Sequence, residues 1–155
     1  MKTPPDPARP ARRNLPLLLL QTRERLLARF RPVLQAGGIT EQQYRVLRAI
    51  EAGGPLEPRQ IGAICHLSSA SLTGMLARME AMGLVARERL AHDQRRVRVS
   101  LTPASRAMFR RMKPRIEAIY QTLEADLGAE LTGEIYDTLD RFLARLAATD
   151  APKKE

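Results

Sequence analysis

The segment from Leu56 to Thr102 constrains this chain more than any other. It reads as a short helix, a turn, a second helix opened by serines, and two strands joined by an Arg-rich tip. The first helix starts at Pro58, whose fixed φ and missing N–H suit a first helical turn. It carries Ile61, Ile64 and Cys65 as its apolar side. Ser68 is placed to cap the second helix, with Leu67 and Leu72 as a hydrophobic staple around the cap. Gly83 ends that helix as a left-handed residue. Leu84-Val85 and Val97-Val99-Leu101 alternate with polar residues, the period of half-buried strands. A long loop centred on His92-Asp93-Gln94 lies between them, and Leu56 fits a short bridging strand. The pattern predicts a mainly α fold with a small β-hairpin: a winged helix-turn-helix.

The flanks enlarge this core. Residues 1–13 carry Pro4, Pro5, Pro7 and Pro10 among basic residues, the composition of a flexible arm. From Leu15 to Gln35, Leu15, Leu18, Leu19, Leu26, Phe30, Val33 and Leu34 recur at helical spacing. Pro32 is expected to kink that helix or end it near Arg31, and Gly37-Gly38 to break it. Thr40 and Gln43 form a capping box for a helix through Tyr44, Leu47 and Ile50. Thr102-Pro103 starts another, with Met108, Met112, Ile116, Ile119 and Leu123 inward, Pro114 as a bend and Gly128 as the stop. A last helix carries Leu131, Ile135, Leu139, Phe142 and Leu146. The terminal helices are too apolar on one face to stand alone, so a second copy is expected to cover them. The expected organisation is an arm (1–13), an N-terminal dimerisation helix (14–38), a DNA-binding domain (39–102), C-terminal dimerisation helices (103–148) and a tail (149–155).

Charge indicates the partner. The 155 residues hold 26 Lys+Arg against 17 Asp+Glu, a formal net charge of +9. Nearly all of the excess is arginine, the better residue for bidentate contact with phosphate or guanine. The absence of Trp disfavours single-strand binding, which needs aromatic platforms for bases. A polyanion is therefore the expected partner, nucleic acid first and an anionic membrane second, and the helix-turn-helix pattern favours double-stranded DNA. Helix-turn-helix recognition puts the start of the second helix into the major groove. Ser69, Ser71 and Thr73 offer short hydroxyls there, and Arg78 lies within reach of a phosphate one turn on. The wing adds Arg87, Arg95 and Arg96, with Asp93 pairing with Arg95 or Arg96 to shape the tip. Arg95 is the residue expected to enter a narrow minor groove, whose negative potential attracts arginine.

These residues also carry a resemblance. Ser71-x-Thr73-x-x-Leu76-x-Arg78-Met79-Glu80-x-x-Gly83-Leu84-Val85-x-Arg87, followed by Asp93-x-Arg95 and Val97-x-Val99-x-Leu101-Thr102, resembles the MarR family of dimeric winged-helix regulators. The resemblance implies a homodimer with interlocked terminal helices. It also implies a repressor that leaves its palindromic operator when a small ligand binds. Ser105 departs from the glycine common after the wing. Leu19-Leu20-Gln21-x-Arg23-Glu24, Phe30-Arg31-Pro32 and Thr40-Glu41-Gln42-Gln43-Tyr44 are similar to the members that govern breakdown of homoprotocatechuate, hydroxyphenylacetate and nicotinate. Tyr44 stands where tryptophan is usual. The ligand class so implied is a small aromatic carboxylic acid.

Such a ligand needs a cation in a partly dry pocket and an apolar slot for its ring. The resemblance puts the pocket where the first two long helices meet the DNA-binding lobe, with Arg23, Arg31, Tyr44, Arg48 and His66 as candidates. Each arginine can equally pair with a carboxylate such as Glu24 or Glu41. Cys65 invites an oxidant-sensing alternative, but its place beside Ile61 and Ile64 favours a buried core thiol. Cys65, His66 and His92 make no metal set, so no metal or cofactor is expected. Met75, Met79, Met82, Met108 and Met112 read as core filler. With no phosphate loop and no nucleophile elbow, the chain is not expected to be an enzyme. A single cysteine and the lack of any long apolar run point to the cytoplasm.

Overall fold

The computed structural model describes residues 14–90 and 93–150, the side chains of Gln94, Arg95 and Asp150 aside. The arm expected over residues 1–13, the tip residue His92 and the last residues of the tail lie outside the described residues. Helix α1 is Leu15–Ala36, α2 Glu41–Gly53, α3 Pro58–Cys65 and α4 Ser69–Ala81. The strands β1 (Val85–Leu90) and β2 (Asp93–Leu101) follow, then α5 (Pro103–Leu127) and α6 (Ala129–Asp150).

The caps form as the sequence dictates. The Thr40 hydroxyl accepts from the Gln43 N–H at 3.2 Å, and Gln43 Oε1 accepts from the Thr40 N–H at 2.9 Å. Ser68 Oγ accepts from the Ser71 N–H at 3.3 Å. At the end of α4, Gly83 N–H donates to Glu80 O and Leu84 N–H to Met79 O, both at 2.9 Å. That pair of bonds is a Schellman motif, and it requires the positive φ of 68° that glycine supplies at no steric cost. Thr102 accepts from the Ser105 N–H to open α5. Ser105 is itself fully buried, with its hydroxyl donating to Thr102 O at 3.0 Å, so the absent glycine leaves no unsatisfied polar group.

The helix-turn-helix lobe is built around Val46, Leu47, Ile61, Cys65, Leu76, Met79, Val85 and Val99, each at most 2% exposed. A short bridge closes it. Leu56 N–H donates to Val99 O at 3.0 Å, and Val99 N–H to Leu56 O at 2.8 Å. The segment ahead of α3 is thereby a third, one-residue strand beside β2.

Of the two outcomes expected at Pro32, an end to α1 is excluded: the helix runs through to Ala36, stops at Gly37 and buries Val33 and Leu34 just beyond the proline. Burial of those two side chains outweighs the one hydrogen bond that proline forfeits. Three further expectations need correction. The wing is not a long loop: β1 and β2 pair from Val85↔Leu101 to Leu90↔Asp93. Backbone ladder bonds do not need apolar side chains, so the charged stretch remains in the strands. The register jumps between Arg89↔Val97 and Leu90↔Asp93, leaving residues 94–96 without counterparts, as in a bulge. Met82 is 49% exposed because it caps the end of α4, and Ile64 is 55% exposed because it points away from Cys65.

The flanking helices look outward. In α1 only Val33 and Leu34 are buried, and Leu15, Leu17, Leu18, Leu19, Leu20 and Leu26 stay exposed. Among its described side chains helix α6 buries none, and it exposes Leu131, Ile135, Leu139, Leu143 and Leu146. Phe30 packs edge-on against Tyr120 with ring centroids 5.2 Å apart, and Arg29 pairs with Asp126 at 2.6 Å. These contacts fix α1 against α5.

Candidate DNA interface and ligand cavity

The start of α4 presents Ser69, Ser71 and Thr73 to solvent, with Arg78 one turn on, also exposed. The hydroxyls differ in availability. Thr73 already donates to Ser69 O at 2.8 Å, and Ser71 Oγ accepts from Ser68 Oγ at 2.9 Å. Among the described residues the Ser69 hydroxyl makes no side-chain hydrogen bond and Arg78 no ion pair, which leaves both able to meet a ligand. Arg78 lies back over Gly74, where an added Cβ would be 3.5 Å from its guanidinium.

The wing arginines are not all available. Arg87 Nε donates to Glu80 Oε2 at 2.7 Å, tying β1 to α4. Arg96 pairs with Glu57, tying β2 to the residue that precedes α3. Both glutamates are held below their ordinary range, first by these hydrogen bonds from arginine. Asp93 adds to the field that holds the proton on Arg96. The Arg95 backbone lies in β2, while its side chain is outside the described residues.

A cavity of about 550 Å³ opens between α2 and α5. Tyr44, Arg48 and Glu51 line it from α2. Helix α5 supplies Arg106, Phe109, Arg110, Lys113, Ile116, Glu117 and Tyr120. Tyr44 meets Phe109 edge-on at 5.8 Å, so one wall is aromatic. Burial raises the Tyr44 phenol against the opposing pull of Arg48, which keeps it protonated at neutral pH and able to donate. Arg48 pairs with Glu51, whereas Arg106, Arg110 and Lys113 form no ion pair among the described residues.

Of the five ligand candidates, the structure brings only Tyr44 and Arg48 to this cavity. Arg23 pairs with Glu24 at 3.1 Å and Glu41 at 3.0 Å, and Arg31 pairs with the other oxygen of Glu24. The eight-residue spacing does put both arginines on one face, but a carboxylate sits between them. His66 ends α3 in the left-handed conformation, away from the cavity lining. The α5 cations were missed, although Arg106, Arg110 and Lys113 follow i, i+4, i+7 spacing beside Phe109. That signal was legible as a basic stripe next to an aromatic.

Cys65 is fully buried, its thiol 3.6 Å from the Arg45 carbonyl oxygen. Burial pushes the thiol up, away from the reactive thiolate. Among the described residues no cluster of His, Cys, Asp and Glu suits a metal, and no helix is long and apolar enough to cross a membrane.

Two helices joined by a turn, with a paired wing behind the second, define a winged-helix DNA-binding regulator. The sequence profile of the MarR family matches residues 37–96. The chain is 34% identical over 131 residues to the homoprotocatechuate degradative operon repressor of Escherichia coli, a match covering 84% of this chain and 88% of that one. The crystal structure of the transcriptional regulator PA4135 matches 86% of this chain and 98% of its own, at 37% identity and a TM-score of 0.81. That of NadR in complex with 4-hydroxyphenylacetate matches 88% and 97%, at 31% identity and a TM-score of 0.73. This chain belongs to the MarR family of transcriptional regulators.

Proposed function

We propose that the chain is a homodimeric, cytoplasmic repressor of an aromatic-acid catabolic operon, released from a palindromic operator by a small aromatic carboxylic acid of the hydroxyphenylacetate or hydroxynicotinate type. In this reading residues 39–102 are the DNA-binding domain, and residues 14–38 and 103–148 bury their apolar faces between two copies. Ser69, Ser71, Thr73, Arg78 and Arg95 meet DNA.

The α2–α5 cavity carries the ligand reading. It joins an aromatic wall of Tyr44, Phe109 and Tyr120 to cations from both helices, the pairing an aromatic carboxylate needs. The NadR structure, with 4-hydroxyphenylacetate bound to a relative of similar fold, supports the same ligand class. Both walls connect to the DNA-reading parts: α2 packs on α3 and β2, and α5 follows β2 directly through Thr102. A ligand between α2 and α5 can therefore favour a lobe position that no longer fits the two half-sites. Release by a factor of ten requires about 1.4 kcal/mol of preference for that position. The buried Cys65 thiol speaks against an oxidant-sensing alternative.

The test is fluorescence anisotropy of a fragment from the DNA upstream of the gene, at fixed salt. Titrants are 4-hydroxyphenylacetate, homoprotocatechuate, 6-hydroxynicotinate and a non-aromatic acid. Selective release by an aromatic acid is expected, and Arg48→Gln should blunt it with operator affinity intact. Tight binding that no acid disturbs refutes the ligand reading.

A further inference from the structure

We propose that Glu57 and Glu80 mask two wing arginines, suppressing sequence-independent DNA binding and so raising discrimination between operator and bulk DNA. The inference rests on the reading that the wing meets DNA.

Arg96 and Arg87, both expected as DNA contacts, are engaged by carboxylates from the helix-turn-helix itself. Glu57 is fixed in place from two sides. Its neighbour Leu56 is bridged to Val99 of β2, and its own N–H donates to Gln60 Oε1 at 2.9 Å at the start of α3. Its side chain is 24% exposed against 55% for Arg96. The backbone that carries the Glu57 carboxylate is thereby held at the start of α3, within reach of Arg96. Arg98 also contributes to the field at Glu57. Glu80 holds Arg87 in the same manner from the body of α4.

Exposed ion pairs contribute little to stability, so the fold has small need of either pair. Beside a duplex their effect is larger. Non-specific affinity comes almost wholly from cations that neutralise phosphates and release counterions. An arginine already neutralised by a fixed carboxylate releases none. Specific binding also draws on base contacts and shape, so masking costs it proportionally less. Arg78 of α4, with no ion pair among the described residues, remains available to phosphate.

The experiment measures Kd against salt for an operator fragment and a scrambled duplex of equal length. It uses the full chain, Glu57→Gln, and the double variant Glu57→Gln/Arg96→Gln. Thermal melting establishes that each variant is folded. Glu57→Gln is expected to tighten the scrambled duplex several-fold, steepen its log–log salt slope by about 0.9, and lower the operator-to-scrambled ratio. The double variant is expected to return to the wild-type slope. Two results overturn the masking. One is a double-variant slope shallower than wild type by about 0.9, which places Arg96 on a phosphate already. The other is weaker binding by Glu57→Gln at unchanged slope, which makes Glu57 a brace. A wild-type chain that binds neither duplex instead sinks the DNA reading, and this inference with it.

Discussion

Leu143 offers a quantitative test of self-association. It extends the row Leu131, Ile135, Leu139 on α6, which buries none of its described side chains, and is itself 62% exposed. Burying a leucine side chain completely stabilises by about 1.5–3 kcal/mol, so covering the exposed fraction contributes about 1–2 kcal/mol. A two-fold interface uses each patch twice, which doubles the effect to about 2–4 kcal/mol per dimer. At about 1.4 kcal/mol per factor of ten, Leu143→Ala should raise the dimer dissociation constant roughly thirty- to several-hundredfold. Sedimentation equilibrium over a dilution series reads this directly. Ile64→Ala is the control, because Ile64 is similarly exposed, at 55%, but lies on α3. Equal dissociation constants for wild type and Leu143→Ala refute the assignment of α6 to the interface. So does an equal loss in the Ile64 variant, which would make the effect a generic one of surface apolarity.

Two further outcomes concern titratable groups. Cys65, buried with its thiol raised, should react slowly with a thiol reagent in the native protein and quickly in denaturant, and peroxide should leave operator binding unchanged; rapid native labelling refutes its assignment to the core. Glu57 and Glu80 have lowered folded-state pKa values, so the stability their ion pairs add is present above the ordinary glutamate range and lost as pH falls through the lowered values. The melting-temperature difference between wild type and a Glu57→Gln/Glu80→Gln variant should thus be small, stay constant from pH 8 to about pH 5 and vanish only in more acid solution. A difference that fades near neutrality is inconsistent with these pairs.

Local chemistry was the legible part of this fold. The Thr40–Gln43 box, the Ser68 cap, Gly83 and Leu56 each act through bonds within a few residues or through one strand neighbour, and the sequence pattern carries such bonds. What failed to show was set across elements. Pro32 reads as a kink or a stop, and the burial of Val33 and Leu34 is what excludes the stop. For Arg23 and Arg31 the sequence offered both a ligand role and pairing with Glu24 or Glu41, and only the fold decides for the carboxylates. The cavity joins residues of α2 and α5 that are some sixty positions apart, so the α2 side of its lining could not be paired with the α5 side from spacing alone. The strand pairing at the tip was hidden for a related reason. Charged residues carry no core-facing pattern, and the backbone ladder, with ion pairs to residues distant in sequence, holds them.

The two hydrogen bonds between Leu56 and Val99 have a mechanical consequence. They fasten the wing to the segment that launches α3, so the hairpin is tied to the helix-turn-helix at a second point besides its own connection to α4. In the proposed dimer, an effector that moved one of the two parts would carry the other with it. Each copy would then act as one jaw of a caliper, and the proposed acid would change the gap at which the caliper is set.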